Sequence, residues 1–189
     1  MTKNNKIIIG ITGTLGAGKG TIVEYLKTKG FEHYSVRAYL IEEINKRQLP
    51  VTIENLAKVG NDLRSKHGAS YIMEELYKKA QNLDTNVIIE SIRTTGEVEG
   101  LKKLGTFYLI AVDAPLEIRY QRVLSRQGDN ADIMSFEEFV KQENKQMNNL
   151  DPEQLNLAGC IKIADFKLTN NGTKEELWHQ VDKVLEQIK

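Results

Sequence analysis

Apolar positions along the chain alternate between short unbroken runs and longer stretches with helical spacing. Ile7-Ile8-Ile9-Gly10-Ile11 is such a run, apolar at consecutive positions, as a strand covered on both faces requires. Residues 6–12 are therefore predicted as the first strand, and a helix follows from about Lys19 to Lys29, stopped by Gly30. Phe31 to Ser35 reads as a second strand. Ser35 can cap a helix to about Arg47, closed by Pro50. Thr52 caps the next, to about His67 before Gly68, and Ser70 caps a third, to about Leu83. Asn86 to Glu90 is a third strand. Thr94-x-x-Glu97 is a capping box for a helix ending at Gly105, and Thr106 to Val112 is a fourth strand. Pro115 opens a helix to about Arg126, and Gln127 to Ile133 is a polar loop. Ser135-x-x-Glu138 caps a long helix to about Leu150. Asp165 to Thr169 is the fifth strand, and Thr173-x-x-Glu176 caps the last helix.

Strands alternating with helices predict an α/β fold, a five-stranded parallel sheet with helices on both faces. A single domain over 1–189 is expected, with its core in 1–35 and 84–189. The helical stretch 36–83 is long for one crossover and reads as an acceptor-binding insert, and about 122–136 as a short lid. Ligands of such sheets sit at the carboxyl ends of the strands, so candidate chemistry is sought there.

The first strand end carries Gly13-Thr14-Leu15-Gly16-Ala17-Gly18-Lys19-Gly20-Thr21. Gly13 and Gly18-Lys19 have the spacing of a phosphate-binding P-loop, between a strand and a helix. The glycines let successive N–H groups turn inward, and the helix start adds donors and a positive dipole end. Lys19 supplies a cation for the β- and γ-phosphates. At the third strand end, Glu90 suits a place near magnesium or its waters, or else is a helix cap or surface carboxylate. Arg93 can bind a phosphate bidentately, or is a loop charge. Asp113 is expected to cap the helix that Pro115 opens. Arg119, Arg122 and Arg126 share a helix face, and like charges so placed suggest a phosphate among them, unless the face is simply exposed.

Gly18-Lys19-Gly20-Thr21 resembles the loop of adenylate kinase and related nucleoside monophosphate kinases. The resemblance implies ATP as phosphoryl donor, Thr21 at the α-phosphate and Mg²⁺ held largely through water. Pro115 to Arg126 looks like the adenylate kinase segment that runs into the lid. That similarity puts Arg122 over the adenine or near the phosphates and Arg126 on the transferring phosphoryl group. Ala164 to Gly172 resembles the end of dephospho-CoA kinases, where the turn with Asn171 and Gly172 packs near the adenine. The loop Glu90-Ser91-Ile92-Arg93, followed by Glu97 and Glu99, resembles the acceptor loop of phage-type deoxynucleoside monophosphate kinases. It also resembles a poorly characterised group of archaeal and bacterial P-loop kinases. A P-loop NTPase fold follows from these likenesses.

The acceptor is read from charge. Dephospho-CoA kinases place an aspartate after the second strand to take a hydroxyl proton. Here that position is His33-Tyr34-Ser35-Val36-Arg37, without a carboxylate. Arg37, Arg64 and Arg93 instead suit a phosphorylated acceptor such as a (deoxy)nucleoside monophosphate, although Arg64 could be a surface charge. Tyr39, Tyr71 and Tyr77 could flank a base, and Trp178 could be a stacking platform, but packing is the favoured use of each. Dephospho-CoA kinase activity, or an ATP-binding switch, are the alternatives.

Composition narrows the partners. Lys plus Arg equals Asp plus Glu at 26 each, so no basic field recruits nucleic acid. No apolar run approaches membrane-spanning length, and the first residues lack signal-peptide form, so a cytoplasmic protein is expected. Cys160 allows no internal disulfide, and His33, His67 and His179 lack metal-ligand spacing. Monomer and homodimer stay equally open.

Overall fold

The computed structural model describes residues 6–81, 83–127, 135–147 and 155–188, with the side chains of Arg126 and Gln127 outside the description. Five strands, β1 (Ile8–Gly13), β2 (Glu32–Ser35), β3 (Val87–Glu90), β4 (Phe107–Asp113) and β5 (Phe166–Thr169), form one sheet. Its order is β2-β3-β1-β4-β5, and every pairing is parallel. β1 lies between β3 and β4, with Ile9 level with Ile88 on one side and Tyr108 on the other. A strand so enclosed has no edge or face in water, which is why its sequence is an unbroken apolar run.

The pleat sends alternate residues to two cores. Ile9, Ile11, Ile88, Ile110 and Val112 meet α1 (Lys19–Thr28) and α9 (Lys174–Gln187) through Ile22, Leu26, Leu177 and Val181. Ile8, Val87, Ile89 and Leu109 meet the opposite layer. That layer holds α2 (Val36–Lys46), α3 (Ile53–His67), α4 (Tyr71–Gln81) and α5 (Thr95–Leu104), with Leu40, Val59, Ile72, Met73 and Leu101 buried against the sheet. Each fully buried aliphatic side chain contributes about 1.5–3 kcal/mol. Buried residues of the stretch 36–83 share one core with β1 and β3.

Three expected capping boxes form. Thr94 and Glu97 start α5, and Thr173 and Glu176 start α9. Ser135 N–H donates to Glu138 Oε2 at 2.9 Å and Glu138 N–H to Ser135 Oγ at 3.2 Å, starting α7 (Phe136–Met147). Ser70 differs: its hydroxyl donates to Glu74 Oε1 at 2.7 Å instead of capping α4. α6 (Leu116–Gln127) follows Pro115. A helix absent from the sequence expectation, α8 (Leu157–Lys162), buries Leu157 and Cys160 and is capped by Asn156. Six residues are too few for periodicity to show. The lid loop expected after α6, and the end of α7 beyond Met147, lie outside the described residues.

Candidate active site

The P-loop joins β1 to α1, and its glycines are required by contacts as well as by dihedral angles. Gly13, Gly16 and Gly18 have φ of 144°, 80° and 105°. A Cβ on each would stand 2.1 Å from Val112 O, 2.5 Å from Arg119 O and 2.2 Å from Asn170 Nδ2, respectively. β4, α6 and the turn after β5 therefore press on the loop from three directions. Gly20 is different, since a Cβ there would meet nothing within 4 Å.

Side chains from those elements take the loop's outward groups. Thr14, buried, donates its hydroxyl to Asp113 Oδ1 at 2.6 Å. Asp113 Oδ1 also accepts from Ala114 N–H at 2.8 Å, a bond outside α6, so Asp113 holds the loop instead of capping that helix as expected. Asn170 Nδ2 donates to Ala17 O at 2.8 Å, and Arg119 Nη1 to Leu15 O at 3.3 Å. Lys19 Nζ donates to Gly13 O and Thr14 O, both at 2.8 Å, so the ammonium lies folded across the loop. Thr21 stands in the first turn of α1, half-buried.

The arginines of α6 divide. Arg119, grouped by sequence with Arg122 and Arg126 as one anion-binding face, is 4% exposed and already neutralised. Both its terminal nitrogens meet Glu143 of α7, with Nη2 to Oε1 at 2.9 Å, and its Nε donates to Ala114 O at 2.7 Å. Its carbon centre lies 5.7 Å from the Phe139 ring. Arg119 is a brace between α6, α7 and the loop, because a buried guanidinium must be matched by a carboxylate and carbonyls. Arg122 instead donates from Nη2 to Asn170 Oδ1 at 3.3 Å, while its buried Nη1 has no hydrogen-bond partner among the described residues. Arg126 falls on α6, with its side chain outside the description. In the turn after β5, Asn171 and Gly172 are exposed, and the buried residue that touches the loop is Asn170.

At the end of β3, Glu90 sits level with Ile11 on one side and Ser35 on the other. Its Oε1 accepts from Ser91 Oγ at 3.0 Å and Ser35 Oγ at 3.3 Å. Ser91 has a φ of 69°, a left-handed turn that costs a non-glycine residue about 1–3 kcal/mol. Thr12 Oγ1 holds the strained loop by donating to Ile92 O at 2.8 Å.

Beside the loop lies a cavity of about 200 Å³ that Leu15 borders directly. Arg37 from α2, Arg64 from α3 and Arg93 from the β3 loop all line it, against apolar walls such as Val36, Leu40 and Leu56. Arg64 arrives with its charge matched: its Nη1 meets Glu97 Oε1 at 3.0 Å, with the side chains 4% and 1% exposed. Glu97 Oε2 accepts from Arg93 N–H at 3.0 Å, so one carboxylate caps α5, pairs Arg64 and fixes the Arg93 backbone. The Arg93 guanidinium donates from Nη1 to Gln146 Oε1 at 3.1 Å. Burial holds the Arg93 guanidinium below its ordinary pKa, and the neighbouring Arg37 cation adds to that shift, while Glu97 and Glu90 oppose it. An anion between Arg37 and Arg93 would relieve both effects. Sequence reasoning did not single out Gln142, Glu143 or Gln146. Asn170 was visible to it by its place just after the fifth strand.

Residues 9–151 match the model of the AAA domain family. The chain belongs to that family. This AAA domain chain is 30% identical over 188 residues to a UPF0200 protein of Thermococcus kodakarensis, a match covering 96% of this chain and 98% of that protein. Among solved structures, TT1252 from Thermus thermophilus has a TM-score of 0.67 at 24% identity, covering 98% of this chain and 100% of that one. Dephospho-CoA kinase from Campylobacter jejuni has a TM-score of 0.52 at 17% identity, covering 97% and 98%. The AAA domain chain thus has a P-loop kinase-like α/β fold. No described helix is long and apolar enough to cross a membrane.

Proposed function

We propose that this protein is an ATP-dependent kinase that transfers the γ-phosphoryl group to a phosphorylated acceptor of the (deoxy)nucleoside monophosphate class. The observation that carries it is the cavity bordered by Leu15 of the P-loop, into which Arg37, Arg64 and Arg93 converge from three separate elements. A phosphate brings close to two negative charges at neutral pH, which Arg37 and Arg93 match.

In this assignment residues 13–21 cradle the donor phosphates. Lys19 leaves the carbonyls of Gly13 and Thr14 to follow the transferring group. Arg122 turns its Nη1, which has no partner among the described residues, to the nucleotide, beside the turn of Asn171 and Gly172, and Arg126 serves the transferring phosphoryl. The oxygen donors Thr21 and Glu90 suit a hard cation such as Mg²⁺, held through water. When bound, Mg²⁺ neutralises charge on the β- and γ-phosphates.

Coupled ADP release across nucleoside monophosphates and dephospho-CoA tests the assignment. Turnover stimulated by a nucleoside monophosphate is the expected result. Stimulation by dephospho-CoA alone would overturn it and move the search for a base to Glu90 or Asp113. ATP binding without stimulation by any of these acceptors would favour a switch.

A further inference from the structure

Gln142 and Gln146 of α7 both line the arginine cavity. They are four residues apart, so they lie one above the other on one helix face. We propose that Gln142 is a specificity-determining residue that reads the polar edge of the acceptor's ring, and that Gln146 is the positioning residue that aims Arg93 at the acceptor phosphate. This rests on the cavity being the acceptor site proposed above.

The two glutamines differ in what they already hold. Gln146 Oε1 accepts from Arg93 Nη1, which leaves the rest of the guanidinium fork for an anion. Gln142, one turn earlier, makes no side-chain hydrogen bond among the described residues, although it faces the cavity. A carboxamide presents an acceptor and a donor pair in one plane, the arrangement that pairs bidentately with a nucleobase edge. The nearby wall is apolar, through Leu15, Leu56 and Leu155. Apolar walls separate similar rings weakly, whereas a site built to hydrogen-bond rejects the wrong edge strongly. Discrimination therefore falls to Gln142.

α7 is held still enough to do this. Phe139 is fully buried, and Glu143 grips Arg119, which itself reaches the P-loop carbonyl of Leu15. A reading group must stand on such a rigid element.

The two roles leave different kinetic signatures. AMP, GMP, CMP, UMP and dTMP would be compared as acceptors, with ATP fixed. Gln142→Met should raise KM for the preferred nucleotide roughly ten- to a hundredfold and flatten the preference among bases. Gln146→Met should raise KM alike for every nucleotide and leave the preference intact, because all share the phosphate. Gln146→Glu keeps the oxygen that Arg93 uses but adds a negative charge that competes with the phosphate, so it should also raise KM alike for every nucleotide. Melting temperature and KM for ATP should hold in all three. If Gln142→Met misfolds, Gln142→Asn gives the same readout with a shortened side chain. An unchanged base preference in folded Gln142 variants overturns the reading role, while wild-type turnover of nucleotides would leave the kinase assignment standing. Base-dependent losses in Gln146→Met overturn the positioning role. Wild-type protein that uses none of the five nucleotides overturns both this inference and the assignment beneath it.

Discussion

The P-loop and the arginine cavity are neighbours built in opposite ways. The loop is nine consecutive residues whose polar partners are largely its own carbonyls and the side chains that clasp them. The cavity draws lining residues from Leu15 to Leu155, and its charges are matched by side chains far apart in sequence, as Arg64 is by Glu97. A backbone site is specified by local spacing and withstands loss of one side chain. A side-chain site is specified by packing, and there one deletion leaves a buried charge unmatched.

The largest expected effect separates chemistry from stability in the loop. Lys19→Ala should lower kcat by a hundredfold or more, about 3 kcal/mol at least in the transition state, while the fold persists. Its hydrogen bonds to Gly13 and Thr14 are dispensable next to the backbone contacts around the glycines. Full coupled ADP release by the purified variant would end the P-loop assignment.

Glu97→Ala should do the reverse. It removes the carboxylate that pairs Arg64, a side chain 4% exposed, and half of the α5 capping box, so urea unfolding should show a loss of about 3–5 kcal/mol. Stability near that of wild type would mean that Arg64 swings to another partner.

Arg93→Ala lies between these extremes. Acceptor KM should rise tenfold to a thousandfold, about 1.5–4 kcal/mol, with KM for ATP little changed. A parallel rise in both constants would mean that the loop and the cavity are not separate sites.

Arg122→Ala sharpens the contrast within α6. Turnover should fall by about 1.5–3 kcal/mol with little change in melting temperature, because Nη1 has no partner among the described residues to lose. Early melting with unchanged kinetics would make it a brace like Arg119.

The smallest effect is a gain. Gly20 has open space around its Cβ position and lies in α1, so Gly20→Ala should raise stability by about 0.5–1 kcal/mol. Chemical denaturation would measure it. A decrease would mean that the loop needs glycine there for another reason.

The legibility of the molecule follows from the same contrast. Strand runs, the glycine–lysine spacing and capping boxes such as Thr94 with Glu97 are local, and each could be read from a few adjacent residues. α8 could not, because six residues with an Asn156 cap carry too little pattern. Cys160 on that helix is buried, and burial pushes its thiol up to about 12.

The sequence by itself determined the five strands, every helix but α8 among those described, and a loop with phosphate-binding spacing, because spacing and residue chemistry are local properties. Only the tertiary structure decided which charges are already matched. Arg119 and Arg122 look equivalent along α6, yet one is clasped by Glu143 and the other leans on Asn170 with a nitrogen unpartnered among the described residues. Glu97 reads as a cap and also neutralises Arg64 across 33 positions. Burial demands that a charge find an opposite partner, and which partner stands nearby is set by how the helices pack.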